Sequence, residues 1–316
     1  MNAVNTLQAG SDLALLSESA PNWFLDCFDV PREEGFVEVE GVQIHYLRWG
    51  NPTLPGVVLT HGFMAHARCW AFIAPLLAEN FCLVAFDLSG MGDSGWRESY
   101  DVDVRSTECL AVAEAAGMTH GGIKPALVCH SYGAGVGLSA VEMFPDAWRS
   151  FVVCDMSMLA PGEHSQFEER RKHMENRSIR PHRVNASFSD VRERFRLAPE
   201  QPCENSYLME YMARHSIREV DDGYVWKFDP KIMGPDNDRD SNWWESIAPR
   251  FAGLQIPRAV IYGEHSTMMS ARVREYIGQV NEDSIAQVCI RDAHHHLMMD
   301  QPIAFSATID SLLQSL

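Results

Sequence analysis

The most reactive arrangement in the chain is Val128-Cys129-His130-Ser131-Tyr132-Gly133-Ala134-Gly135. A serine between an apolar strand and a helix, with small residues two before and two after it, suits a bend tight enough to force the serine into positive φ. Bulky side chains at the flanking positions would collide there. A hydroxyl presented in this way is a nucleophile for acyl transfer once a base takes its proton. Two other segments supply what that chemistry needs. His61-Gly62-Phe63 follows an early apolar run, and the Phe63 and Tyr132 backbone amides are placed to hold a developing oxyanion. Far downstream, His294, His295 and His296 follow the last apolar run and precede Asp300-Gln301-Pro302. A histidine there can act as general base and then as general acid.

These groups must be held by strands and helices that the sequence announces. FVEVEGVQIHYLRWG alternates apolar and polar residues about Glu40-Gly41, as a hairpin does. The short apolar runs 56–62, 82–90, 126–131, 150–157, 258–264 and 286–292 read as strands buried on both faces of a parallel sheet. Helical segments at 70–79, 133–144 and 271–280 alternate with them. The order predicts an α/β fold with a mostly parallel twisted sheet flanked by helices, whose ligand site lies beyond the carboxyl ends of the strands. Residues 158–246 break the alternation. They carry helical patterns at 165–177, 188–196 and 204–215 and one strand at 223–230. Such an insert reads as a mainly helical cap, leaving 1–157 and 247–316 as the core. From Arg170 to Arg196 it holds nine Arg or Lys against three Asp or Glu, inside a protein of net charge −17. The plain explanation is the solvated faces of amphipathic helices; the sharper one is a cationic lid that attracts anionic substrates.

With these motifs in hand, the chain resembles the α/β-hydrolase superfamily, in its lid-bearing serine hydrolase branch. The likeness runs from about Phe36 to the C-terminus through the His61-Gly62 turn, the segment Asp87 to Ser94, the bend at Ser131 and the terminal histidine segment. Cys129 stands where glycine is usual. The family's catalytic histidine commonly lies seven residues before the proline of the last motif, which implies His295. His294 and His296 then serve packing or solvent, His61 braces a loop, and His130 faces the core side of the bend. The family's commonest acid position falls on Ser266, which cannot hold an imidazolium by charge. Asp155, after the strand that follows the bend, is the expected third member, with Glu264, on the usual loop, as the alternative. The implied reaction is attack by Ser131 on the carbonyl of an ester, lactone or thioester, an oxyanion held by Phe63 and Tyr132, and an acyl-enzyme released by water. The same superfamily contains carbon–carbon bond hydrolases and cofactor-free oxygenases, and a noncatalytic ligand-binding protein on this scaffold is a third reading.

Composition sets the outer limits. With 26 Lys and Arg against 43 Asp and Glu and no basic tail, the chain lacks the clustered cations that nucleic acids or anionic membranes demand. The expected partner is a small molecule, with no cofactor and no metal, because adjacent histidines rarely converge on one ion. The eight cysteines are scattered without a CxxC pair and read as reduced, and the first residues do not read as a signal peptide. The expected location is the cytoplasm. Trp70, Met156, Met158, Met209, Met212, Trp243 and Trp244 are candidate walls of a small, largely apolar substrate pocket, although Met and Trp also fill ordinary core gaps.

Overall fold

The computed structural model describes residues 20–163, 180–234, 243–282 and 284–316. Its strands are β1 (Arg32–Val39), β2 (Val42–Trp49), β3 (Gly56–Thr60), β4 (Cys82–Phe86), β5 (Ala126–His130), β6 (Ser150–Cys154), β7 (Ile217–Val220), β8 (Gly223–Trp226), β9 (Arg258–Gly263) and β10 (Ala286–Ile290). Eight of them form one sheet in the order β1-β2-β4-β3-β5-β6-β9-β10. β1 and β2 pair antiparallel across the turn at Glu40 and Gly41, both of positive φ, as a tight hairpin requires. β2 meets β4 antiparallel, and every pair from β4 to β10 is parallel.

Strands β3 to β6 are buried at every residue, and their side chains divide by the two-residue period of a strand. Val57, Leu59, Leu83, Ala85, Val128 and Val152 enter the apolar cluster on one face. Val58, Val84, Leu127, Cys129, Phe151 and Val153 enter the cluster on the other. The helices Val102–Ala115, Tyr132–Met143 and Trp243–Gly253 cover the second face, and Pro302–Ser315 covers the first. The apolar runs in the sequence are therefore the central strands of a mostly parallel α/β sheet.

The segment 70–79 is not one helix. A 3₁₀ turn spans Ala67–Trp70 and a single helical turn spans Ala74–Leu77, because Pro75 lacks an amide and its ring obstructs a preceding turn. Between β6 and β9, helices Phe188–Arg192 and Ser206–His215 are shorter than the sequence patterns, and the 165–177 pattern lies outside the described residues. β8 has a partner the sequence concealed. β7 reads Ile-Arg-Glu-Val, whose charged centre hides a strand. This segment is fastened to the loop after β4: the Asp229 amide donates to the Gly90 carbonyl at 2.8 Å, the Tyr100 hydroxyl to Asp229 Oδ2 at 2.7 Å, and Lys227 Nζ pairs with Asp93 at 2.6 Å. Among the described residues no helix is long and apolar enough to cross a membrane.

Candidate active site

β5 ends at His130 and a helix begins at Tyr132, so the whole change of direction falls on Ser131, at φ 52° and ψ −121°. A non-glycine residue in that region is strained and must be held by its surroundings. Gly133 permits the close approach: a Cβ there would lie 2.4 Å from Thr60 Oγ1 and 2.5 Å from the His61 carbonyl oxygen. Gly137 makes room for the cysteine that replaces the usual glycine, since a Cβ at 137 would fall 2.5 Å from Cys129 Sγ. The Ser131 amide donates to the Cys154 carbonyl at 2.9 Å, which sets the bend beside the end of β6 and hence beside Asp155. Ser131 is partly exposed, whereas Asp155 is fully buried.

Asp155 is the carboxylate that meets His295. Its Oδ1 lies 2.8 Å from His295 Nδ1 and also accepts the Ser266 hydroxyl at 2.5 Å, while its Oδ2 accepts the Gly263 amide at 2.8 Å. Ser266 Oγ in turn accepts the Met268 amide at 3.1 Å, so its own hydrogen is directed at Asp155. An ionised carboxylate only accepts, so His295 carries its proton on Nδ1 and presents a bare lone pair at Nε2. Among the described residues Nε2 is buried without a hydrogen-bond partner. Ser266, the residue at the family's commonest acid position, thus braces an acid carried by the neighbouring strand. Glu264 is exposed and accepts the Asp292 amide at 3.0 Å, apart from His295.

The adjacent histidines diverge. The His294 amide donates to Asp300 Oδ2 at 2.6 Å, and His296 Nε2 donates to the Pro199 carbonyl at 3.2 Å. Burial above all pushes His296 down to about 3, so it is neutral. His130 Nε2 donates to the His295 carbonyl at 2.9 Å, a bond that ties the histidine loop to the serine bend. Burial above all holds His130 well below its ordinary value.

The loop after β3 is fixed by His61 and Asp87, which the sequence reading singled out, and by His45 and Glu34, which it did not. His61 Nδ1 donates to the Gly62 carbonyl at 2.8 Å and its Nε2 accepts the Leu88 amide at 3.1 Å, which makes it the loop brace the sequence suggested. Asp87 Oδ1 accepts the Ala67 amide at 2.6 Å and its Oδ2 accepts the Asp93 amide at 2.8 Å. His45 lies between Asp87 and Glu34, with both ring nitrogens 2.7 Å from a carboxylate oxygen. Burial alone would lower His45, but the two carboxylates outweigh it and raise it to about 9. Burial likewise opposes ionisation of Asp87 and Glu34, yet bonding to His45 holds both below the usual carboxylate range. The three form a buried ionic lock between β1, β2 and the loop after β4, which then pins the loop carrying Phe63. His45, Asp87 and Asp93 bring three ligand-type atoms together, but both His45 nitrogens are committed to donation, so no lone pair faces an ion. The other such group among the described residues, Glu264, His265 and Asp292, is exposed.

Phe63 is partly buried with its ring 5.5 Å from that of Tyr132, and Tyr132 is the first residue of its helix, where amides point away from the helix body. A cavity of about 330 Å³ opens beside these groups. Its wall includes Phe63, His130 and His296, the last two being the chain neighbours of Ser131 and His295. Of the seven sequence-suggested wall residues, Met212 lines it. Trp70 is instead buried against Phe305, Met209 packs on the same apolar cluster, and Met156, Met158, Trp243 and Trp244 belong to the cluster on the other face.

Residues 57–308 match the family model described as the alpha/beta hydrolase family. The chain belongs to the alpha/beta hydrolase family. It is 26% identical over 212 residues to a serine hydrolase-like protein of Mus musculus, covering 61% of this chain and 63% of the mouse protein. It is 28% identical over 160 residues to N-formylmaleamate deformylase of Pseudomonas putida, covering 50% of this chain and 57% of that enzyme. In both cases this alpha/beta hydrolase spans less than two thirds of the relative's length. Among solved structures, E-2-(acetamidomethylene)succinate hydrolase superposes with a TM-score of 0.73 at 18% identity, covering 89% of this chain and 98% of that one, a likeness of fold.

Proposed function

We propose that this alpha/beta hydrolase is a serine hydrolase that cleaves an ester, lactone or thioester of a small, largely apolar acid through an acyl-enzyme. The observation that supports this most is the buried Asp155–His295 pair, whose geometry leaves a bare lone pair at Nε2 on a loop that the His130–His295 bond ties to the strained and partly exposed Ser131. His295 takes the Ser131 proton as Oγ attacks the carbonyl carbon, and Asp155 stabilises the imidazolium that results. The amides of Phe63 and Tyr132 receive the oxyanion. Collapse of the tetrahedral intermediate expels the leaving group, which takes the proton from His295, and water repeats the sequence on the acyl-enzyme. No step requires a cofactor.

The insert between β6 and β9 serves as the cap in this reading. Its Phe195, Leu197, Met212, Trp226 and Phe228 supply apolar wall to the cavity, opposite core residues such as Phe63 and Met298. A panel of p-nitrophenyl esters with acyl chains of increasing length tests the proposal. Turnover by the wild type should vanish in Ser131→Ala and decline once the acyl chain outgrows the cavity. Equal turnover by wild type and Ser131→Ala would overturn it.

A further inference from the structure

The cavity wall is electrostatically one-sided. Among the described residues it contains Arg194, Arg196 and Lys227 and no aspartate or glutamate, in a chain of net charge −17. Lys227 is already neutralised by Asp93 at 2.6 Å. The two arginines are not. Arg194 donates to the neutral Asn185 Oδ1 at 2.9 Å, and Arg196 to the carbonyl oxygens of Glu193 and Phe195 at 2.9 and 2.7 Å. Arg192, in the same segment, is by contrast held by Glu210. Among the described residues, then, two guanidinium groups on the rim of a largely apolar cavity have their orientation set by neutral acceptors and their charge left uncompensated.

Another part of the lining, at His66 and Ser216, has the reverse character. Ser216 Oγ donates its hydrogen to the Met212 carbonyl at 2.7 Å, so it accepts from His66 Nε2 at 3.0 Å. His66 therefore carries its proton on Nε2, and its Nδ1 is a bare acceptor, buried without a partner among the described residues. Burial pushes His66 down to about 3, so it stays neutral through the physiological range. A lone pair on this wall disfavours an anion and suits an N–H or O–H, while the rim favours an anion. Guanidinium pairs match a carboxylate by geometry as well as by charge.

We propose that the substrate carries a free carboxylate, held at the cavity rim by Arg194 and Arg196, with its scissile carbonyl directed inward to Ser131. This deepens the serine hydrolase reading and names the substrate class of the same site; the directing of the carbonyl rests on that reading, whereas the carboxylate site does not.

The test separates the two. With Ser131→Ala protein, calorimetric titration compares succinamate, glutaramate and adipamate with their uncharged diamides, so no turnover is involved. At least one monoanion should bind about tenfold tighter than its diamide, the preference should shrink with added salt, and Arg194→Gln/Arg196→Gln should bring the ratio to within about twofold of unity. Arg192→Gln should retain it. Equal affinities, no measurable binding by any of the probes, or a preference that survives the double replacement would overturn the carboxylate site. A second arm compares kcat/KM of wild type for mono-p-nitrophenyl glutarate and p-nitrophenyl pentanoate, and a ratio of tenfold or more that collapses in the double variant is expected. A binding preference without a kinetic one would place the carboxylate away from the productive pose, and would overturn the inward direction of the carbonyl.

Discussion

Asp155→Asn removes a carboxylate that three donors share. The Gly263 amide on Oδ2 cannot reorient, so the asparagine oxygen stays with it and the new NH₂ faces His295 and Ser266. Ser266 can rotate its hydroxyl. His295 can accept from an NH₂ only by moving its proton from Nδ1 to Nε2, and this eliminates the lone pair that the proposed mechanism uses as base. Loss of one ordinary hydrogen bond costs about 1 kcal/mol, or roughly fivefold in rate. A reversed tautomer costs on the order of 10³- to 10⁴-fold in kcat, about 4–5 kcal/mol. The magnitude therefore distinguishes the two explanations. Purified Asp155→Asn and Glu264→Gln proteins, checked for matching circular dichroism, are assayed on the best ester substrate. A loss of a thousandfold or more in kcat is expected for the first and a change within twofold for the second. Full turnover by Asp155→Asn, or collapse of Glu264→Gln, would refute the reasoning.

Other outcomes follow from particular contacts. Ser266→Ala leaves Asp155 with two donors instead of three and should lower kcat by roughly fivefold, the scale of one hydrogen bond, with KM unchanged. Gly133→Ala forces a methyl against Thr60 and the His61 carbonyl, so about 1–3 kcal/mol of stability should be lost in urea titration and kcat should fall as the Phe63 loop shifts. The ionic lock at His45 predicts a pH-dependent stability. Because His45 is raised to about 9 from a reference near 6.5, its contribution is full below about pH 6.5 and is lost as pH rises through about 9, roughly 3 kcal/mol in all. Glu34 and Asp87 are lowered, so their contribution is full above about pH 4–5 and is lost as pH falls. Thermal melting should show greatest stability between these limits, and His45→Gln should remove the decline between about pH 6.5 and 9; an unchanged decline would assign it to other groups.

The sheet was legible because its central strands are short apolar runs with both faces buried, a pattern that leaves few alternatives. The bend at Ser131 was legible for a related reason, since only small residues fit at 129 and 133. The sequence favours Asp155 over Glu264 without deciding between them, because both follow a strand at the same end of the sheet. What separates them is which strand end lies beside the Ser131 bend, and that is a matter of strand order. The His45–Asp87–Glu34 lock left no local signal beyond the motif that begins at Asp87, as its members come from three strands or loops and His45 and Glu34 each read singly as an ordinary polar residue. β7 was hidden by its charged centre, and the 70–79 segment looked helical until Pro75 was given its steric weight. The wall residues chosen by size were mostly core. Cavity walls are set by the packing of the 180–234 segment on the strand ends, and composition does not encode that.

Labelling with a fluorophosphonate probe, read by intact mass and peptide mapping, tests the nucleophile without knowledge of the substrate. The account predicts one adduct, located on Ser131, absent from Ser131→Ala and formed far more slowly in Asp155→Asn. An unlabelled wild type, or an adduct that persists in Ser131→Ala, would contradict it.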